Sequence, residues 1–223
     1  MGVFFVHFCS TKDRIMHHIQ YYREQIETTV RRLQAIVLEK NGLPEQPTHA
    51  AQIRHLPVYE DDLGYSLLDH TREIMQVEIA WSPIAAEGLF AYIKRYDEDG
   101  NHQARIVVAK TDNYCEARYF VAKEIMHCHQ TDTGASATNS YADLQQLMQS
   151  LVANVAGDSP QALVDQLAHW GAMNFFIPEG WIPLLKKIQA ELSSDPNSGE
   201  KANLHVATLL RCPEWVVDLK LSS

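Results

Sequence analysis

The chain has 223 residues, 46% apolar and 21% charged, with a formal net charge of −9. Those proportions suit a soluble globular chain that buries a real core, and the acidic balance, with no Lys/Arg cluster to offset it, argues against nucleic acid or an anionic membrane as the main partner. Cys9, Cys115, Cys128 and Cys212 form no CxxC pair and read as reduced thiols, and no apolar run approaches the roughly 20 residues of a membrane span, so a cytoplasmic location is expected.

The opening MGVFFVHFCS lacks a basic leader and a small-residue cleavage site, so it is not read as a signal peptide. Residues 3–8 suit either a short strand or a tucked-in arm. Ser10 with Asp13 resembles a capping box opening a long helix over residues 12–40. Its apolar positions Ile15, Ile19, Tyr22, Ile26, Leu33 and Ile36 alternate at spacings of four and three, with Thr29 filling one slot. Asn41-Gly42 and Pro44 stop it, after a length of about 40 Å. Two readings of this helix stay open: it lies along the main domain, or it forms a coiled-coil-like homodimer seam through residues 12–40.

Residues 43–63 carry Pro44, Pro47 and Pro57 and read as a connector. A short helix is expected over 65–75 and a short strand over 77–81, ended by Pro83. Strands follow over 88–96 and 104–109, and the DEDGN between them is hairpin-turn chemistry.

The stretch EARYFVAKEIMHCH, residues 116–129, reads as one helix with Asn113 as N-cap and Glu116 closing a capping box. Tyr119, Phe120, Val121, Ala122, Ile125 and Met126 are apolar nearly all round, so the helix should be buried. Yet Lys123, Glu124 and His127 fall within one sector of about 100° and form a polar face. Buried charges are normally paired or bound to a metal, so that face asks for a partner.

Residues 131–140 are small and polar and read as a loop. Ser140 and Asp143 open a helix carrying Leu144, Leu147, Met148, Leu151 and Val155. Ser159-Pro160 opens the next, which runs through Asp165, Ala168, His169 and Ala172 to Phe176 and ends at Pro178. An amphipathic segment over 182–192, a polar linker over 193–201 and a helical pair over 204–210 and 214–221 complete the chain.

This order of a hairpin, a buried helix with a polar face and a later helix bearing a carboxylate resembles the ImmA/IrrE-type zinc peptidases. In that family the helix carries HExxH: two histidines one turn apart bind zinc, and the Glu acts as general base on metal-bound water. The aligned pentad here is KEIMH, residues 123–127. The resemblance puts Glu124 in the general-base position and His127 in the second ligand position. Asp165-Gln-Leu-Ala168, running on to Ile177-Pro178, is similar to the segment carrying the third ligand. The closing LHVATLLRCPEWVVDLKL looks like the family's final helix-turn-helix-like segment. The resemblance covers residues 75–221 and leaves the first 60 outside it.

The resemblance implies an α+β, zincin-like domain over residues 61–223, a small antiparallel sheet packed on helices, with a helical N-terminal extension over 1–60. It also implies zinc and a protein partner or peptide substrate, because family members act on helix-turn-helix repressors in phage-type or stress circuits. The departure is Lys123, which stands where the first ligand His belongs. A protonated ammonium has no lone pair, and two remaining ligands hold zinc weakly. Either Lys123 neutralises Glu124 and Asp165, leaving a silent or weakened regulatory protein, or His169, one turn after Asp165, completes a rearranged metal site in a working peptidase with Glu124 as base. A third reading is a structural helical assembly protein. His129 and Cys128 point too far round the helix to substitute, and His17, His18, His55 and His70 have no ligand spacing.

Overall fold

The computed structural model describes residues 11–60, 62–83, 90–98, 101–130, 160–193 and 202–222. The expected arm at 3–8, the Ser10 cap, the loop after residue 130, the helix carrying Leu144 to Val155 and most of the 193–201 linker lie outside them. The described residues form an α+β structure of seven α-helices and one small three-stranded mixed sheet.

Helix α1, Thr11–Lys40, ends where Gly42 takes a left-handed φ of 63°. Asn41 closes the end: its amide donates to Val37 O and Tyr65 O, and its Oδ1 accepts from Tyr65 N. One face of the helix, Ile26, Val30, Leu33, Val37 and Leu38, is buried in the same core as the sheet, and α1 packs on α4, Pro160–Phe176. Gln34 is buried with it and donates to the carbonyls of Asn174 and Phe175. From Ile26 onward the apolar stripe is therefore covered within its own chain.

Helix α2, Leu67–Arg72, opens on a full capping box between Ser66 and Asp69. It is shorter than the expected 65–75. The strands are β1, Gln76–Ser82, β2, Ala91–Glu98, and β3, Asn101–Ala109, in the order β1-β3-β2. The β2–β3 hairpin is antiparallel as the turn chemistry requires, with Glu98 opposite Asn101. The expectation of an antiparallel sheet needs correction at β1, which pairs parallel to β3 with Val77 opposite Ala104. The physical reason is burial: Ala104, Ile106 and Val108 make β3 the most buried strand, so it takes the centre and receives a neighbour on each side.

Helix α3, Tyr114–His129, packs on β3 and β2 and on α4, Pro160–Phe176. Asn113 caps it by accepting from the N–H groups of Cys115 and Glu116. Helix α5, Ile182–Ser193, lays Leu185 into the core. Helices α6, Ala202–Leu210, and α7, Glu214–Leu221, close the fold as a packed pair. No helix among the described residues is long and apolar enough to cross a membrane.

A buried ion pair fixes α3 against both ends of the structure. Arg118 is 0% exposed, and its Nε stands 3.1 Å from Asp62 Oδ2. The rest of the guanidinium donates to the carbonyls of Leu56, Leu210 and Arg211. Arg211 holds a left-handed φ of 49°, at the turn between α6 and α7. Asp62 accepts from Val58 N–H at 2.8 Å and from the Tyr114 hydroxyl at 2.9 Å. Burial alone would raise the Asp62 pKa; the His55 contact, the Arg118 charge and these two donors outweigh it and hold the carboxyl well below its ordinary range.

Candidate functional site: a lysine-centred charge cluster

The polar face of α3 turns inward. Lys123, Glu124 and His127 are all buried, at 8%, 1% and 7% exposure. They meet Asp165 and His169, one turn apart on α4. The five residues singled out from the sequence therefore come together where the two helices cross.

The ammonium of Lys123 sits between the carboxylates. Its Nζ lies 3.0 Å from Glu124 Oε1 and makes a close ion pair with Asp165 Oδ1. His127 Nε2 lies 3.4 Å from Asp165 Oδ1 and 4.0 Å from Glu124 Oε2. His169 Nε2 approaches the other oxygen of Asp165 at 3.5 Å. Asp165 is thus the hub, contacted by one ammonium and two imidazoles. The His169 side chain is 42% exposed and forms the outer rim.

The electrostatics follow from this packing. Burial would raise the Asp165 pKa, but hydrogen bonds from His127 and His169 and the Lys123 charge overcome it and hold the group ionised far below the usual carboxylate range. Burial would lower the Lys123 pKa, but Glu124 and Asp165 overcome that and raise it above 10.5. The lysine is therefore a cation, with all three donors and no lone pair to offer.

Tyr119 is the participant that sequence reading missed. Its hydroxyl lies 2.8 Å from His169 Nδ1, and its ring stacks on the imidazole at 5.8 Å between centroids. It sits one turn before Lys123, in the same register that brings the cluster together, so its spacing was a usable signal. Its apolar neighbours concealed it. Trp215 of α7 packs edge-on against the same ring at 4.8 Å. Cys128 and His129 lie away from the cluster, as their helix angles indicate. Burial pushes the Cys128 thiol up to about 12, and His129 turns to Thr71 at 2.9 Å.

These residues do not fit a zinc ion. Among the described residues no group of three or more His, Cys, Asp or Glu side chains is arranged to hold a metal. The ammonium lies where His127 Nε2 and Asp165 Oδ1 converge. His169, the recruit considered from the sequence, has Nδ1 engaged by Tyr119 and Nε2 by Asp165. What the arrangement does chemically is neutralise buried carboxylates and tie α3 to α4.

Compared with known protein families and with curated proteins, the chain matches no family model and no curated protein.

Proposed function

We propose that this chain is a degenerate relative of the ImmA/IrrE-type zinc peptidases, built on a zincin-like domain, that acts as a regulatory, protein-binding module without peptidase chemistry. The supporting observation is the Lys123 ammonium, 3.0 Å from Glu124 Oε1 and ion-paired with Asp165, the two carboxylates that the resemblance assigns to the general base and a metal ligand. The Glu124 carboxylate is engaged by the ammonium, and the pentad KEIMH supplies one imidazole instead of two. The chain's own residues thus satisfy the site's charge, and what remains of the family's role is recognition of a protein.

Elemental analysis of the purified protein tests this. No stoichiometric zinc and no cleavage of an unfolded protein substrate are expected. Zinc at one per chain, with cleavage lost in Glu124→Gln, would sink the reading in favour of a working peptidase. Light scattering tests the assembly alternative, and a monomer is expected because the described part of the α1 stripe is covered internally.

A further inference from the structure

The aromatic groups of this protein show how it handles cations. The guanidinium of Arg23 lies 3.8 Å over the ring of Trp170, and its Nε is 3.4 Å from Glu27, which also accepts from the Trp170 indole at 3.1 Å. An indole face, a carboxylate and an arginine make one compact unit. On α7 an indole and a carboxylate are neighbours in sequence. Trp215 is 44% exposed, with exposed Glu214 beside it. Among the described residues no cation lies over that ring, and Glu214 makes no ion pair. One turn on, Leu219 is 59% exposed and Asp218 stands beside it. The opposite face of α7, with Val216, Val217 and Leu221, is buried in the core. The outer face is therefore an apolar pair one turn apart, edged by two carboxylates, on a chain of net charge −9.

We infer that this face docks a cationic amphipathic helix of a partner protein, laying an arginine over Trp215 beside Glu214 and an apolar side chain on Leu219. The inference rests on the reading of the chain as a protein-binding module and gives the chemistry of what is bound. The face adjoins the charge cluster through Tyr119, which Trp215 touches edge-on and whose hydroxyl reaches His169. An occupant on α7 therefore lies one side chain from the lysine-centred site.

The test uses the full chain and fluorescently labelled synthetic helices: an amphipathic Leu/Arg peptide, a Leu/Glu counterpart and a Leu/Arg peptide of scrambled order. Saturable binding of the first alone is expected. Trp215→Ser and Glu214→Lys should each weaken it about tenfold. Glu214→Lys lies on the surface in the first turn of α7 and should lower the thermal midpoint only slightly, which separates lost docking from lost fold. Equal binding of the Leu/Glu or scrambled peptide, unchanged affinity in both variants, or no binding at all would overturn the inference. So would self-association that Trp215→Ser abolishes, because a second copy would then be the occupant. Cleavage of the bound peptide, seen by mass spectrometry, would instead overturn the non-catalytic reading and leave the docking face standing.

Discussion

The Tyr119 hydroxyl stands 2.8 Å from Nδ1 of His169, whose Nε2 faces the Asp165 carboxylate. Burial, together with the nearby Asp165 charge, raises the Tyr119 pKa above its ordinary 10.0, so the phenol stays protonated. Asp165 is ionised and can only accept, so the His169 nitrogen facing its Oδ2 at 3.5 Å carries a proton, which leaves Nδ1 of the neutral ring to accept from the phenol. Tyr119→Phe should cost about 1 kcal/mol of stability. It should also shift the His169 population toward the Nδ1–H form, read directly by nitrogen NMR of the imidazole. An unchanged tautomer would mean that Asp165 alone sets the ring.

Lys123 makes a sharper prediction. Lys123→Met removes the cation and leaves two carboxylates buried, which should cost about 3–5 kcal/mol. The pH dependence has a definite sign. The Asp165 pKa is depressed, so its contribution is full above 3.8 and is lost only as pH falls through the lower folded value. The Lys123 pKa is raised, so its contribution is full below 10.5 and is lost as pH climbs through the higher folded value. The wild-type pair therefore contributes fully at both about pH 5 and about pH 9, whereas the two unpaired carboxylates of Lys123→Met can take up a proton at the lower pH, so the gap in urea midpoint should widen from about pH 5 to about pH 9. A margin that shrinks between those values would show that the pair titrates in the neutral range.

Replacing the ammonium by an imidazole gives a complementary test. Lys123→His provides a second histidine one turn from His127 and frees Asp165. A gain of zinc, measured by elemental analysis and by a rise in thermal midpoint with added zinc, is expected. Failure to gain metal would count against the family reading of α3.

His129 should make the fold acid-sensitive in a separate place. Its ring is parallel to that of His70, 6.1 Å between centroids, and its Nε2 lies 2.9 Å from Thr71 Oγ1. Burial first, then the nearby charges of His70, Arg32 and Arg95, push its pKa down to about 4. The group is therefore stabilising when neutral: the contribution is full above 6.5 and is lost as pH falls toward about 4. The total is on the order of 3 kcal/mol. His129→Gln keeps a donor for Thr71 and cannot ionise, so its denaturation midpoint should fall less across that window.

The Asp62–Arg118 pair should show strong coupling. Arg118→Met leaves the buried Asp62 carboxylate with only the half-exposed Arg211, 3.7 Å away, as a cation and should cost about 3 kcal/mol. Asp62→Asn in the same chain should recover part of that loss. Additive single losses in a denaturation cycle would contradict the coupling, because two independent residues would then lie at the site.

The contrast between those two buried charge systems marks what the sequence could reveal. Lys123, Glu124 and His127 interrupt an otherwise apolar helix at helical spacing, so periodicity alone exposes them. Asp165 came from the resemblance of its segment to the stretch carrying the family's third ligand, and His169 from lying one turn after it. Arg118 was not, because a single arginine at the start of an apolar run looks like a solvated first turn. Its partners Asp62, Leu56, Leu210 and Arg211 are distant in sequence, and no local pattern links them. Strand direction was hidden for a similar reason. The DEDGN turn dictates the β2–β3 hairpin locally, whereas the pairing of β1 with β3 is decided by which strand the helices cover.

One consequence concerns biosynthesis. The Gln34 side chain bonds to the carbonyl of Asn174, 140 residues later. At ribosomal speeds that interval is on the order of ten seconds. Throughout it Ile26, Val30, Leu33 and Val37 lack α4, the helix α1 packs on most extensively, and the nascent chain carries a partly uncovered apolar strip. Premature termination before α4 emerges should therefore yield aggregates, not a stable fragment.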